Sequence, residues 1–170
     1  VCCAGAANTY IRSGRMPEAI VGDGDSLLPD IKERYASLIH SEAEQETNDL
    51  SKAFRFCLSQ ERKRITIMGA TGKREDHTIG NVSLLADYME QEEVSMMNDY
   101  GIFVPIREDS MFESYIGQQI SVFNMNSTAL SAEGLAYPLS VFTNWWQGTL
   151  NEALARHFII RTEGKVLVFR

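Results

Sequence analysis

Through the first hundred residues short apolar segments alternate with helical stretches, with glycine or acidic residues in the loops between them; after Asp99 convincing helical stretches give out. This alternation narrows the fold more than any other feature. Strand-loop-helix repeats bury a parallel sheet beneath helices, whereas short strands separated by turn residues pair into all-β layers. The sequence therefore predicts an α/β domain with a largely parallel sheet over residues 1–100, and a smaller all-β domain over residues 101–170.

In the first part the strand candidates are residues 1–3, 19–21, 38–40, 64–68 and 94–97. Helices are expected over 6–13, 28–35, a run from Asp49 to Leu58, and 75–89. Asn48 is placed to cap the third of these, and Ile79, Val82, Leu85, Ala86 and Met89 form an apolar stripe along the last. In the second part the strand candidates are 102–106, 119–124, 128–133, 158–162 and 165–169, with Glu163-Gly164 as a hairpin turn and a brief helical look at 150–156.

Lys and Arg number 16 against 23 Asp and Glu, a formal charge of −7, so the field of the chain repels a nucleic-acid backbone. A polyanionic small molecule would need a local basic turn or a metal ion. Cys2, Cys3 and Cys57 have neither the number nor the spacing of a disulfide framework or a zinc site, and fit a reducing cytoplasm. No apolar run approaches the ~20 residues of a membrane span, so no membrane partner is expected. The sequence opens at Val1, inside a strand candidate, and we expect a further N-terminal piece of the first domain ahead of it.

Four segments carry the candidate chemistry. In Gly22-Asp23-Gly24-Asp25-Ser26 two carboxylates lie two residues apart between glycines, at the carboxyl end of a strand candidate, where ligands of open α/β sheets collect. Such oxygen ligands suit a hard divalent cation, and the same spacing suits an Asp-rich surface turn. Glu46 and Asp49, three apart at a helix start, add acidic groups that are either solvated or part of one cation site. Gly69-Ala70-Thr71-Gly72-Lys73-Arg74 places flexible backbone beside two positive charges, as phosphate recognition requires, but it lacks the Gly-Lys-Ser/Thr ending of a Walker A loop. His77 is either a base beside Asp76 or a packing residue of a first helical turn. Trp145 and Trp146 offer aromatic faces to a cationic heteroaromatic ring, or fill a core or subunit interface.

Taken in order, these segments resemble the thiamine pyrophosphokinase family over nearly the whole sequence. Gly22 to Ser26 match its Gly-Asp-x-Asp-Ser motif, and Gln45-Glu46-Thr47-Asn48-Asp49-Leu50 its Gln-Asp-x-Thr-Asp segment. Gly69 to His77, with Asn81, match Gly-Ala-Thr-Gly-Gly-Arg-x-Asp-His, Lys73 standing in place of the second glycine of the pair. Gly134-Leu135-Ala136-Tyr137-Pro138-Leu139 and the segment around Asn151-Glu152 match elements of its thiamine-binding domain.

The resemblance implies that the α/β domain over 1–100 is a nucleotide-binding domain for ATP and Mg2+ and that the all-β domain over 101–170 is a thiamine-binding β-sandwich. It implies transfer of a diphosphate group from ATP, as co-substrate, to the hydroxyl of thiamine, with Mg2+ as cofactor. It implies a homodimer with active sites at the subunit interface. It places the metal at Asp23, Asp25, Asp49 and Glu46, and gives catalytic roles to Asp25, Asp49, Arg74 and Asp76. Substrate binding falls to Asp23, Asp25, Ser26, Thr71, Arg74, His77, Asn81, Trp145, Trp146 and Asn151. Ala4, Glu46, Asn48 and Leu150 depart from the family pattern, which keeps two alternatives in view: a related diphosphotransferase acting on another alcohol, and a non-catalytic thiamine-binding or regulatory protein.

Overall fold

Strands β1 (Cys2–Cys3), β2 (Ile20–Gly22) and β3 (Ile39–Ser41) form an all-parallel sheet with β2 in the middle. The structure, a computed structural model, describes residues 1–42, 44 and 46–170; Gln45 of the acidic segment lies outside the described residues. Helices α1 (Ala4–Arg12), α2 (Pro29–Arg34) and α3 (Asp49–Ser59) accompany this sheet. Ala4 and Ala7 of α1 are fully buried with Ile20, Leu27 and Ile31, the small alanines letting the helix approach the strand closely. Helix α1 starts two residues earlier than the sequence predicts, because β1 is only two residues long and Cys3 already has the extended backbone of an N-cap. As expected, Asn48 caps α3, its Oδ1 accepting from the Ser51 N–H at 2.9 Å.

Packing divides the chain into Val1–Lys63 and Arg64–Arg170. The second unit begins with β4 (Arg64–Met68), α4 (Glu75–Tyr88) and β5 (Glu93–Asn98), with β4 and β5 parallel. It continues with β6 (Gly101–Ile106), β7 (Ser110–Glu113), β8 (Gln119–Asn124) and β9 (Leu130–Glu133). A 3-10 turn at Trp145–Gly148 precedes β10 (Asn151–Glu152), β11 (His157–Thr162) and β12 (Val166–Phe169). One sheet runs β10-β8-β12-β6-β5-β4 and the other β7-β11-β9. Ile120, Val122, Val166 and Val168 of the first sheet share a core with Phe112, Leu130, Phe158 and Ile160 of the second, which makes this part a sandwich.

The class predicted from sequence, α/β followed by β-sandwich, is the class observed. The packing division falls after Lys63 because β5 turns back through Asn98 and pairs antiparallel with β6, drawing β4 and β5 into the later sheet. Residues 150–156 are not helical: Leu150 has φ 60°, and Asn151 and Glu152 pair with Ile120 and Gln119. Strand β7 has no counterpart among the predicted strands, and Ile79 of the expected apolar stripe is 59% exposed while Val82 and Leu85 are buried.

Candidate functional site

Strand β2 ends at Gly22, and the acidic turn follows at its carboxyl end. Gly22 has φ 145°, a conformation that L side chains rarely adopt. The Asp49 carboxylate occupies the space a side chain would need: a β-carbon on Gly22 would lie 2.8–2.9 Å from its three heavy atoms. The Asp25 N–H donates to Asp23 Oδ1 at 3.0 Å, which fixes the Asp23 side chain over its own turn. From α1, Asn8 holds the exit of the turn, its Nδ2 donating to the Ser26 carbonyl at 2.7 Å and its Oδ1 accepting from the Leu28 N–H at 3.1 Å. Asn8 is a positioning residue that sequence reasoning missed; no pattern in the chain marks a side chain that bonds only to distant backbone.

Asp49 is half-buried, and burial pushes its carboxyl above the ordinary carboxylate range. The Asp23 charge pushes the same way, and Lys52 opposes both. Lys52 is 2% exposed and its Nζ stands 3.9 Å from Asp49 Oδ1, a resident counter-charge on the next turn of the helix. The Asp49 carboxylate thus stands against Gly22, the residue before Asp23, whereas Asp25, Ser26 and Glu46 are exposed. Among the described residues no three acidic, histidine or cysteine side chains stand close enough to hold a metal ion by themselves. Two carboxylates, Asp23 and Asp49, still fit magnesium, which commonly takes one or two protein carboxylates and fills its remaining positions with water and phosphate oxygens.

In the second unit the turn after β4 leads into α4. The Asn81 side chain, one helical turn and a half along, donates to the Ala70 carbonyl at 2.8 Å and shapes the turn. Thr78 ties the helix start by bonding the Arg74 carbonyl through Oγ1 at 3.2 Å. A cavity of about 200 Å³ lies here, walled by Gly69, Thr71, Lys73, Arg74, His77 and Asn81. Arg74 grips Asp76 with a fork, Nε to Oδ1 at 3.1 Å and a terminal nitrogen to Oδ2 at 2.6 Å. The fork raises the Arg74 pKa and lowers that of Asp76, so both stay charged. His77 is exposed, and its backbone N–H donates to Asp76 Oδ1 at 2.9 Å.

Trp145 packs edge-on against Phe123 at 5.8 Å and remains 40% exposed, while Trp146 is 74% exposed. Asn144 and Gln147 close this turn with a reciprocal capping box. Asn151 is buried and its amide is taken up by backbone: Oδ1 accepts from the N–H groups of Tyr137 and Glu152, and Nδ2 donates to the Tyr137 carbonyl at 2.8 Å. It clips the Tyr137 segment to β10. The three cysteines are free thiols, and no helix among the described residues is long and apolar enough to cross a membrane.

Fold and site together define a protein with a parallel α/β unit carrying an acidic turn and a β-sandwich unit carrying a cationic, glycine-bearing turn. The family model for the thiamin pyrophosphokinase catalytic domain matches residues 1–97, and that for the thiamin pyrophosphokinase substrate-binding domain matches residues 101–169. The chain belongs to the thiamine pyrophosphokinase family. It is 31% identical over 104 residues to thiamine pyrophosphokinase 1 of Oryza sativa subsp. japonica, a stretch covering 55% of this chain and 39% of that protein. It is 35% identical over 81 residues to thiamine pyrophosphokinase of Bacillus subtilis (strain 168), covering 45% of this chain and 38% of that protein. The matched stretch spans well under half the length of either relative. In fold the chain is similar to thiamin pyrophosphokinase from Geobacillus thermodenitrificans, with TM-score 0.80, 22% identity, and coverage of 100% of this chain and 86% of the other. It is also similar to yeast thiamin pyrophosphokinase, with TM-score 0.80, 14% identity, and coverage of 99% and 76%.

Proposed function

We propose that the chain transfers a diphosphate group from ATP to the hydroxyl of thiamine, releasing AMP and thiamine diphosphate. One observation carries this reading: the catalytic-domain and substrate-binding-domain models follow one another along the chain at 1–97 and 101–169. In this account residues 1–100 serve ATP and magnesium, and residues 101–170 serve thiamine.

Asp23 and Asp49 would hold magnesium, with Asp25 and Glu46 as the neighbouring acidic groups. When bound, the ion supplies positive charge against phosphate oxygens. Transfer of this kind depends on alignment and on neutralising oxygen charge rather than on covalent chemistry by the protein. Asn8 and the Asp23 turn hold the acidic groups in a fixed frame, which removes an ordering cost at the moment of binding. Ser26, Thr71 and Asn81 serve nucleotide and substrate binding. Arg74, with Asp76 on one edge of its guanidinium, keeps other N–H groups for phosphate oxygens. Asp76, held as a carboxylate, accepts a hydrogen bond from the thiamine hydroxyl and orients it, beside His77. The exposed indole faces of Trp145 and Trp146 suit the positively charged ring of thiamine, and Asn151 shapes that region through Tyr137. We infer further that the protein is a homodimer with its active sites at the subunit interface, working in the reducing cytoplasm.

A panel of alcohols tests the substrate assignment. With ATP and magnesium present, thiamine should drive saturable AMP release and other alcohols should not. Saturable release with another alcohol alone would make the chain a related diphosphotransferase, and thiamine binding without AMP would make it a non-catalytic binder.

A further inference from the structure

We propose that Lys73 is a phosphate-binding residue of the cavity before α4, engaging the diphosphate part of a nucleotide; the inference rests on the ATP-dependent reading above. Three observations converge on it. Lys73 walls the cavity of about 200 Å³ together with Arg74 and His77. The Arg74 charge is largely offset, since its guanidinium is forked onto the Asp76 carboxylate at 3.1 and 2.6 Å. Lys73 has no ion pair or hydrogen bond among the described residues, whereas Lys52 faces Asp49 and Lys165 bonds Glu90 at 2.8 Å.

The balance of charge around this turn gives the lysine its weight. Glu75 and Asp76 follow it in the first turn of α4, and the whole chain carries −7, so a phosphate chain approaching the cavity meets repulsion unless a local cation offsets it. Lys73 supplies that charge beside Arg74, whose own charge is shared with Asp76. The frame beneath it is set by the Asn81 bond to the Ala70 carbonyl and by the Thr78 bond to the Arg74 carbonyl, while the ammonium stays on a flexible stem. A hydrogen-bonded turn bearing an ammonium on a long stem suits an anion whose oxygens shift as it is transferred.

Equilibrium binding of inorganic diphosphate, ATP and adenosine to the whole chain, with magnesium present, tests the proposal on the parent and on Lys73→Gln and Lys73→Arg. Removing one charged contact at an exposed position should raise the Kd for ATP and diphosphate roughly 3- to 10-fold at low salt, less at high salt. Lys73→Arg should bind within about twofold of the parent, and adenosine should not distinguish the proteins. Loss for ATP but not diphosphate would place the contact on the nucleotide rather than on the free anion. Equal binding by parent and Lys73→Gln, equal loss in both variants, or no binding of either anion by the parent overturns the proposal. AMP release is followed in the same samples: release with an unchanged ATP response in Lys73→Gln overturns the lysine and leaves the activity standing. The predicted Kd shift without any thiamine-driven AMP overturns the activity and leaves the lysine standing.

Discussion

The carboxylate of Asp49 lies directly over the α-carbon of Gly22, where a β-carbon would come within 2.8–2.9 Å of all three of its heavy atoms. The acidic turn and the start of α3 are therefore fitted to one another through a missing side chain. Gly22→Ala introduces both this overlap and a strained φ of 145°, and it should lower stability by about 2–4 kcal/mol, read as a shift in the urea midpoint. Magnesium-dependent turnover should fall further than the folded fraction does, because the overlap moves Asp49 itself.

If Asp49 holds magnesium as proposed, proton and metal compete there. Its folded-state pKa is raised above the ordinary 3.8, so the native state binds the proton more tightly than the unfolded chain does. Without metal, this group's contribution to stability is most favourable below 3.8 and declines as pH rises through the raised folded value. Magnesium affinity should run the opposite way, weakening as pH falls through that value. Asp49→Asn should weaken magnesium binding by tenfold or more, on the order expected for loss of a metal contact, and should flatten this part of its pH dependence. Titration calorimetry at several pH values checks both.

Leu150 adopts φ 60° with its side chain 68% exposed, so it carries the left-handed penalty without core packing in return. Leu150→Asn should raise stability by ~0.5–1 kcal/mol, measured by denaturant unfolding, since asparagine tolerates this region far better.

Trp146 is 74% exposed beside the half-exposed Trp145, an aromatic surface of the kind enriched at the centre of interfaces. Trp146→Glu should weaken the proposed dimer by tenfold or more in sedimentation equilibrium and weaken thiamine binding with it. A monomeric parent would remove the shared-site account.

Where local chemistry decides the structure, the sequence is readable. Asn48 caps α3, the Gly22 turn ends a buried strand, and the class of both halves follows from periodicity. Pairing partners are another matter: β4 and β5 have the composition of parallel strands, and only the antiparallel return of β6 assigns them to the later sheet. The helical look of residues 150–156 fails because the positive φ at Leu150 and the buried amide of Asn151 commit the segment to pairing with β8. The candidate site divides the same way. Its residue types are visible from spacing, but the seating of Asp49 against Gly22, the Arg74 fork and the Asn8 clamp are long-range or geometric facts.

The central claim, that a diphosphate group moves as one piece, is tested most directly by phosphorus-31 NMR of the protein with ATP, thiamine and magnesium. Thiamine diphosphate and AMP should form in equal amounts, with no signal from either product when thiamine or magnesium is left out. Formation of ADP with thiamine monophosphate, or a spectrum of unchanged ATP from folded protein, would contradict it.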